Sequence, residues 1–180
     1  MFGCDVRGEK RAKAKIQSKN KSAVAGQAVF LEKNGKVKIE ISLTGAGPGP
    51  IAVHLHRVGD CSAEDATTSG GHWNPTQENH GKWGEPPFHS GDIGNIKINE
   101  EGNGRLELID EHNRWSLGGP PETNLIGRAV VVHQGKDDMI SQPSGAAGKR
   151  TGCGPIIEVT SATEKGTWTQ KNTVSRQEQF

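Results

Sequence analysis

Apolar and polar residues alternate along most of the chain with a period of two, the signature of strands that bury one face. The clearest case is a pair of runs, residues 27–32 and 36–43, flanking Lys33-Asn34-Gly35. Asn-Gly between two alternating runs predicts a tight hairpin, because both residues accept positive φ. The Gly- and Pro-rich stretch 45–50 then ends that unit. Further strands are expected at 13–17, 51–57, 95–98, 105–109, 128–133 and 155–159. Eight strands of this kind predict an all-β sandwich or barrel. Two segments break the pattern, 58–92 and 134–152, and both read as long loops. A connection of that length inside a compact domain is expected only where it is functional or cross-linked.

Composition narrows this to one polar-looped domain. The chain has 180 residues, of which 31% are hydrophobic, with 25 glycines and 9 prolines to make turns; the mean hydropathy is −0.67. No apolar run approaches the ~18 residues that a membrane span needs, so no integral membrane span is expected. The net charge of +1 hides an asymmetry: residues 1–21 carry seven Lys or Arg against Asp5 and Glu9, leaving the remainder at about −4. We read residues 1–12 as a basic flexible arm, 13–160 as the β domain and 161–180 as a polar tail. The arm lacks interleaved aromatics, so it reads as a solvated segment rather than a nucleic-acid contact.

The three cysteines, an odd number, need separate explanations. Cys61 and Cys153 could pair within the domain, with Cys4 left near the terminus. The start Met1-Phe2-Gly3-Cys4 has no apolar h-region, so no signal peptide is read in the sequence as given. Cys4 follows a small residue. It is either the lipid-bearing residue of a trimmed bacterial lipoprotein, and so a lipid anchor, or an exposed thiol in the arm.

Six of the seven histidines change the picture from fold to chemistry. His54 and His56 lie at i and i+2 of an expected strand, where both imidazoles face one way and Leu55 the other. His133 closes another strand and can supply a further ligand from its neighbour. His72, His80, His89 and Asp92 fall together in the first long loop, Asp92 adding an anionic oxygen that suits zinc. Imidazole suits zinc and copper, and zinc sites are usually four-coordinate. Seven residues supply eight metal bonds only if one histidine bridges through both ring nitrogens. The set therefore points to a two-metal centre. His112, among Glu111, Asn113 and Arg114, reads as an exposed loop histidine.

From residue 51 to 156 the chain resembles the copper,zinc superoxide dismutase family. The matching residues are His54-Leu55-His56, Gly59-Asp60-Cys61, and Gly71-His72-Trp73-Asn74-Pro75, where many members have Phe at the Trp73 position. They continue with Phe88-His89-Ser90-Gly91-Asp92-Ile93-Gly94-Asn95, Gly127 through His133, and Arg150-Thr151-Gly152-Cys153-Gly154. The resemblance implies an eight-stranded antiparallel Greek-key β-barrel. It implies copper bound by His54, His56, His72 and His133, and zinc bound by His72, His80, His89 and Asp92, one of each per chain. It implies a Cys61–Cys153 disulfide, Arg150 lining the copper channel, and Asp137 joining the two metal sites through hydrogen bonds to a ligand of each. The implied reaction converts superoxide to dioxygen and hydrogen peroxide by Cu(II)/Cu(I) cycling, with zinc structural and His72 carrying a proton for the peroxide.

The chain also departs from the family. Residues 138–149 are few and have no acidic residue after Asp138, so the charged guidance loop of animal members is missing or rebuilt. Arg57 stands where an acidic or neutral residue is common. The short loop and the Gly-Asp-Cys position look more like bacterial members, which implies an extracytoplasmic location in periplasm or cell envelope, the cytoplasm staying open. A homodimer is one of the assemblies the resemblance allows. Two rival readings are a metal carrier or metallochaperone without turnover and an adhesive sandwich stapled by zinc. The carrier would be expected to lose ligands or the channel arginine, and the sandwich would not need His54, His56, His133 and Arg150 together.

Overall fold

Val37, Ile39, Ile41 and Leu43 are buried while the residues between them reach toward solvent, so the period-two pattern holds residue by residue along this strand. A computed structural model describes residues 9–159. Its strands are β1 Lys10–Ser18, β2 Ala25–Lys33, β3 Lys36–Thr44, β4 Gly49–His56, β5 Gly94–Ile98, β6 Gly104–Ile109, β7 Ala129–His133, β8 Arg150–Pro155 and the two-residue β9 Ile157–Glu158. Among the described residues there is no α-helix, only a 3-10 turn at Thr67–Ser69. Among these residues no helix is long and apolar enough to cross a membrane. Cys4 and the tail from residue 160 onward lie outside the described residues.

Asn34 and Gly35 carry φ of 52° and 73° and join β2 to β3 with Lys33 facing Lys36, the expected two-residue hairpin. Hydrogen bonding runs β2-β3-β6-β5-β4-β7-β8-β1, and β1 pairs back with β2, closing an eight-stranded antiparallel barrel. The consecutive strands β4, β5 and β6 bring β6 beside β3, a Greek-key order. β9 extends the wall by pairing Ala12 with Glu158. Phe30, Ile16, Ile39, Leu55, Ile96 and Val130 meet inside the barrel.

β4 and β7 differ from the other strands: from Ile51 to His56 and from Ala129 to His133 every residue is buried. Val53, Leu55, Val130 and Val132 face the barrel core. Ala129 and Val131 pack on the other side with Ala66 and Cys153. The outer wall of the barrel is covered here by the loops, and that is where His54 and His56 point.

Three boundaries depart from expectation. β1 begins at Lys10, so residues 10–12, assigned to the arm, belong to the sheet. The strand expected at 155–159 is split, because β8 starts at Arg150 inside the expected loop and ends at Pro155. Gly152 and Gly154 erase the alternation there, and β1 needs them: a β-carbon on Gly154 would lie 2.6 Å from the Lys15 carbonyl oxygen, and one on Gly152 would lie 2.9 Å from Ile16 Cγ2. A third long connection, 110–128, is pinned by buried Asp110, which accepts from the backbone N–H groups of His112 at 2.9 Å and Trp115 at 2.7 Å. Cys61 and Cys153 form a disulfide with a Cα–Cα distance of 5.8 Å, tying the first loop to β8.

Candidate metal centre

The loop between β4 and β5 is laid along the outer wall as if it were part of the sheet. Trp73 N–H donates to Leu55 O at 2.8 Å, Leu55 N–H to Gly91 O at 2.9 Å, and Gly91 N–H to Trp73 O at 2.9 Å. Gly91 is required for this approach, since a β-carbon would lie 2.2 Å from Leu55 O. His72 is thereby bridged to His56 in the manner of a neighbouring strand. Its ring centroid sits 4.0 Å from that of His54 and 5.2 Å from that of His56.

Two ligand sets result. In one, Asp92 Oδ1 lies 2.9 Å from His72 Nδ1, 3.0 Å from His80 Nδ1 and 3.2 Å from His89 Nδ1. Four donors bonded to a tetrahedral ion at ~2.0 Å would be about 3.3 Å apart, close to this spacing. Asp92 Oδ2 faces away and accepts from the backbone N–H groups of His89 at 2.8 Å and Gly81 at 3.1 Å, which fixes the carboxylate. The other set holds His54, His72 and His133 with donor atoms within 4.8 Å of one another. His56 stands beside it, its ring 5.6 Å from that of His133.

Five histidines are oriented by a partner on their far nitrogen. His56 Nδ1 donates to Gly70 O at 2.8 Å, His133 Nδ1 to Gly148 O at 3.2 Å and His89 Nε2 to Glu78 O at 3.0 Å. His54 Nε2 and His80 Nε2 donate to the two oxygens of Asp137, at 2.8 and 2.9 Å. Each acceptor fixes the tautomer and leaves a lone pair on the opposite nitrogen. His72 alone among the six has no such partner: Nδ1 faces the Asp92 set and Nε2 faces the other. Among the described residues, the buried ring nitrogens His54 Nδ1, His56 Nε2, His72 Nε2 and His133 Nε2 have no hydrogen-bond partner, and His80 Nδ1 and His89 Nδ1 have only Asp92 Oδ1 within reach. Leaving one such atom unsatisfied costs about 1–3 kcal/mol, so a cluster of them fits sites built to receive metal ions.

The electrostatics follow this division except at His80, which in the metal-free protein keeps protons on both nitrogens. Burial pushes His72 down to about 4 and His133 to about 3, and holds His56 well below the ordinary imidazole range, so these three are neutral at pH 7. Burial acts the same way on His80, but the carboxylates of Asp137 and Asp92 prevail and lift it to about 9. For Asp92 and Asp137 burial opposes ionisation, yet the hydrogen bonds from their histidines hold both well below the carboxylate range.

Arg150 lines the opening beside the cluster, a cleft of about 480 Å³ that also exposes edges of His56, His72 and His133. Its Nη1 donates to Ala66 O at 2.7 Å and to Ser69 Oγ at 3.2 Å. The Arg57 side chain lies over Gly70, where a β-carbon would fall 2.5 Å from Arg57 Nε, and Gly70 is the residue whose carbonyl orients His56. His112 lies at the surface against Trp83 and Phe88, apart from the cluster. Sequence reasoning missed Asn95, which brackets Asp137 by accepting its N–H at 2.8 Å and donating to its carbonyl at 2.9 Å. The Asp92-Ile93-Gly94-Asn95 run contained the signal. The carbonyls of Gly70, Glu78 and Gly148 had none, because every residue carries one.

The family described as copper/zinc superoxide dismutase (SODC) matches residues 24–156. Superoxide dismutase [Cu-Zn] 2 of Aquifex aeolicus (strain VF5) is 35% identical over 138 residues, 74% of this chain and 79% of that protein. Superoxide dismutase [Cu-Zn] 1 of the same organism is 31% identical over 160 residues, 87% of this chain and 93% of that protein. A crystal structure of the clock protein EA4 superposes with a TM-score of 0.73 at 32% identity, covering 87% of this chain and 99% of that one. With a closed Greek-key barrel, two histidine sets on its outer wall and a family match across most of its length, the chain belongs to the copper/zinc superoxide dismutase family.

Proposed function

We propose that the chain converts two superoxide ions and two protons to dioxygen and hydrogen peroxide at this centre, with copper held by His54, His56, His72 and His133 and zinc by His72, His80, His89 and Asp92. One of each per chain follows from the shared ligand. The observation that carries the reading is His72, whose two nitrogens face different sets with no carbonyl to claim either. Copper, when bound, supplies one-electron chemistry between its two oxidation states, whereas zinc has no redox chemistry and supplies charge and structure.

The side chains do the rest. His72 turns Nδ1 to the Asp92 set and Nε2 to the other set, so with zinc on Nδ1 its Nε2 would be placed to carry a proton to the product peroxide. Arg150 keeps a fixed positive charge at the mouth of the cleft and orients the anion through its remaining N–H groups. Asp137 locks the rings of His54 and His80 and so couples the orientation of the two sets. The Cys61–Cys153 disulfide supports an oxidising, extracytoplasmic location.

Superoxide decay followed by stopped flow, together with metal analysis, tests this. Protein loaded with copper and zinc should consume superoxide catalytically, and protein loaded with zinc alone should not. Retention of both metals with no consumption would favour a metal carrier instead.

A further inference from the structure

We propose that the turn Lys19–Ser22, between β1 and β2, is a clamp that positions Arg150; the proposal rests on the reading of Arg150 as the residue that orients the anion. The turn closes with Ser22 N–H donating to Lys19 O at 3.0 Å, and Asn20 and Lys21 both take left-handed backbone angles, φ 51° and 58°. Asn suits such a position and Lys does not, so the turn keeps a conformation that its surroundings must enforce.

Those surroundings are the two elements that define where Arg150 points. Toward β8, Asn20 Nδ2 donates to the Arg150 carbonyl at 2.8 Å, Lys19 N–H to Thr151 O at 2.9 Å and Ser22 Oγ to Thr151 O at 2.6 Å. Toward the disulfide loop, Lys19 Nζ donates to the carbonyls of Cys61 and, at 3.0 Å, Ala63, while Asn20 N–H donates to Glu64 O at 3.0 Å. Ala63 O also accepts from Ala66 N–H at 3.0 Å, and Ala66 O is the main acceptor of the Arg150 guanidinium. One four-residue turn therefore holds the backbone that launches Arg150 directly, and the carbonyl that receives its far end through Ala63.

The disulfide does not make this redundant. It fixes Cys61 to Cys153, three residues past Arg150, and Cys153 packs against Ala66, but the hydrogen bonds to the Arg150, Ala63 and Glu64 carbonyls come from the turn. A guanidinium on a long flexible stem needs both ends held to keep its free N–H groups aimed, and a displacement of about 1 Å can cost up to about a hundredfold in rate. Lys19 and Asn20 are thus positioning residues acting through Arg150.

The test uses the copper- and zinc-loaded full chain, with azide as an anion probe read from the copper spectrum and superoxide decay read by stopped flow. Asn20→Gly removes the side-chain bond while tolerating the left-handed backbone. Asn20→Gly and Lys19→Met should each weaken azide binding and slow superoxide decay by about threefold to tenfold. Metal content, the azide-free copper spectrum and the disulfide should match the parent. Lys19→Arg, which keeps donors for both carbonyls, should restore parent values. Neither variant should act further in an Arg150→Ile background, because both work through that residue. Parent-like azide affinity and rate in Asn20→Gly would overturn the clamp. So would a loss in Lys19→Met with none in Asn20→Gly, which would assign the effect to the lysine's charge. So would additive losses on top of Arg150→Ile. If Arg150→Ile alone kept the parent rate and azide affinity, the reading of Arg150 itself would fall, and the clamp with it.

Discussion

A β-carbon on Gly145 would lie 1.8 Å from Asp137 Oδ1, and 2.7 Å from His80 Nε2. Gly145 also has φ 66°, which disfavours any side chain. The carboxylate joining the two histidine sets is thus held in place by the absence of an atom on the facing loop.

Gly145→Ala should therefore push Asp137 off His80 and weaken metal binding at the Asp92 set first, by about tenfold or more. Competition against a chelator with calibrated zinc affinity measures this. Unchanged zinc affinity would mean that Asp137 does not orient His80.

His72→Ala should disturb both metals at once, changing the copper spectrum and lowering zinc retention, whereas His80→Ala or Asp92→Ala should release zinc before copper. Elemental analysis after reconstitution reads the order. A His72 variant with both metals bound and a native copper spectrum would refute the shared ligand.

With the chain beyond residue 21 at about −4 and no acidic residue between Asp138 and Arg150 to shape a guidance loop, Arg150 should carry a large share of anion attraction. Arg150→Ile should slow superoxide consumption by at least about tenfold and flatten its salt dependence, with both metals retained. Native rate and salt slope in this variant would shift the steering to Lys136 or Lys149.

The metal-free protein should be acid-labile. His56, His72 and His133 are held below the imidazole value of 6.5, so their contribution is complete above that pH and is lost as pH falls toward about 4 and about 3, where the unfolded chain binds protons and the folded one resists them. Asp92 and Asp137, also held low, lose theirs below pH 4 in the same direction. His80 has the opposite sign: its contribution is present below pH 6.5 and is lost as pH rises through about 9. Urea unfolding of the apoprotein should thus show falling stability from pH 6.5 to 4 and a smaller fall from pH 7 to 9. Flat stability across the acid range would contradict these environments.

The disulfide closes a loop of 92 residues, and on the chain-entropy model contributes up to ~4–5 kcal/mol. Cys61→Ser should lower the unfolding midpoint accordingly. Peptide mapping without reductant should find Cys61 joined to Cys153; a bridge from Cys4 to either would refute the pairing.

The barrel was legible where side chains alternate and illegible where glycine replaces them. β3 could be read residue by residue, but β8 could not, since Gly152 and Gly154 carry no side chain to show a period. The seven cluster residues were legible because histidine is scarce and their spacing is compact; the structure draws six of them into two donor sets, with His56 beside the second. Their orientation was not legible. It depends on carbonyls of Gly70, Glu78 and Gly148, which any sequence provides; only the Asp137 contacts with His54 and His80 were anticipated, through the resemblance and not through spacing.

The exchange of backbone hydrogen bonds among Leu55, Trp73 and Gly91 has a thermodynamic consequence for metal uptake. The conformational entropy of the ligand-bearing loop is given up when the barrel folds, together with burial of Trp73, rather than when an ion arrives. An incoming ion meets imidazoles already aimed, so nearly all of its coordination energy appears as affinity.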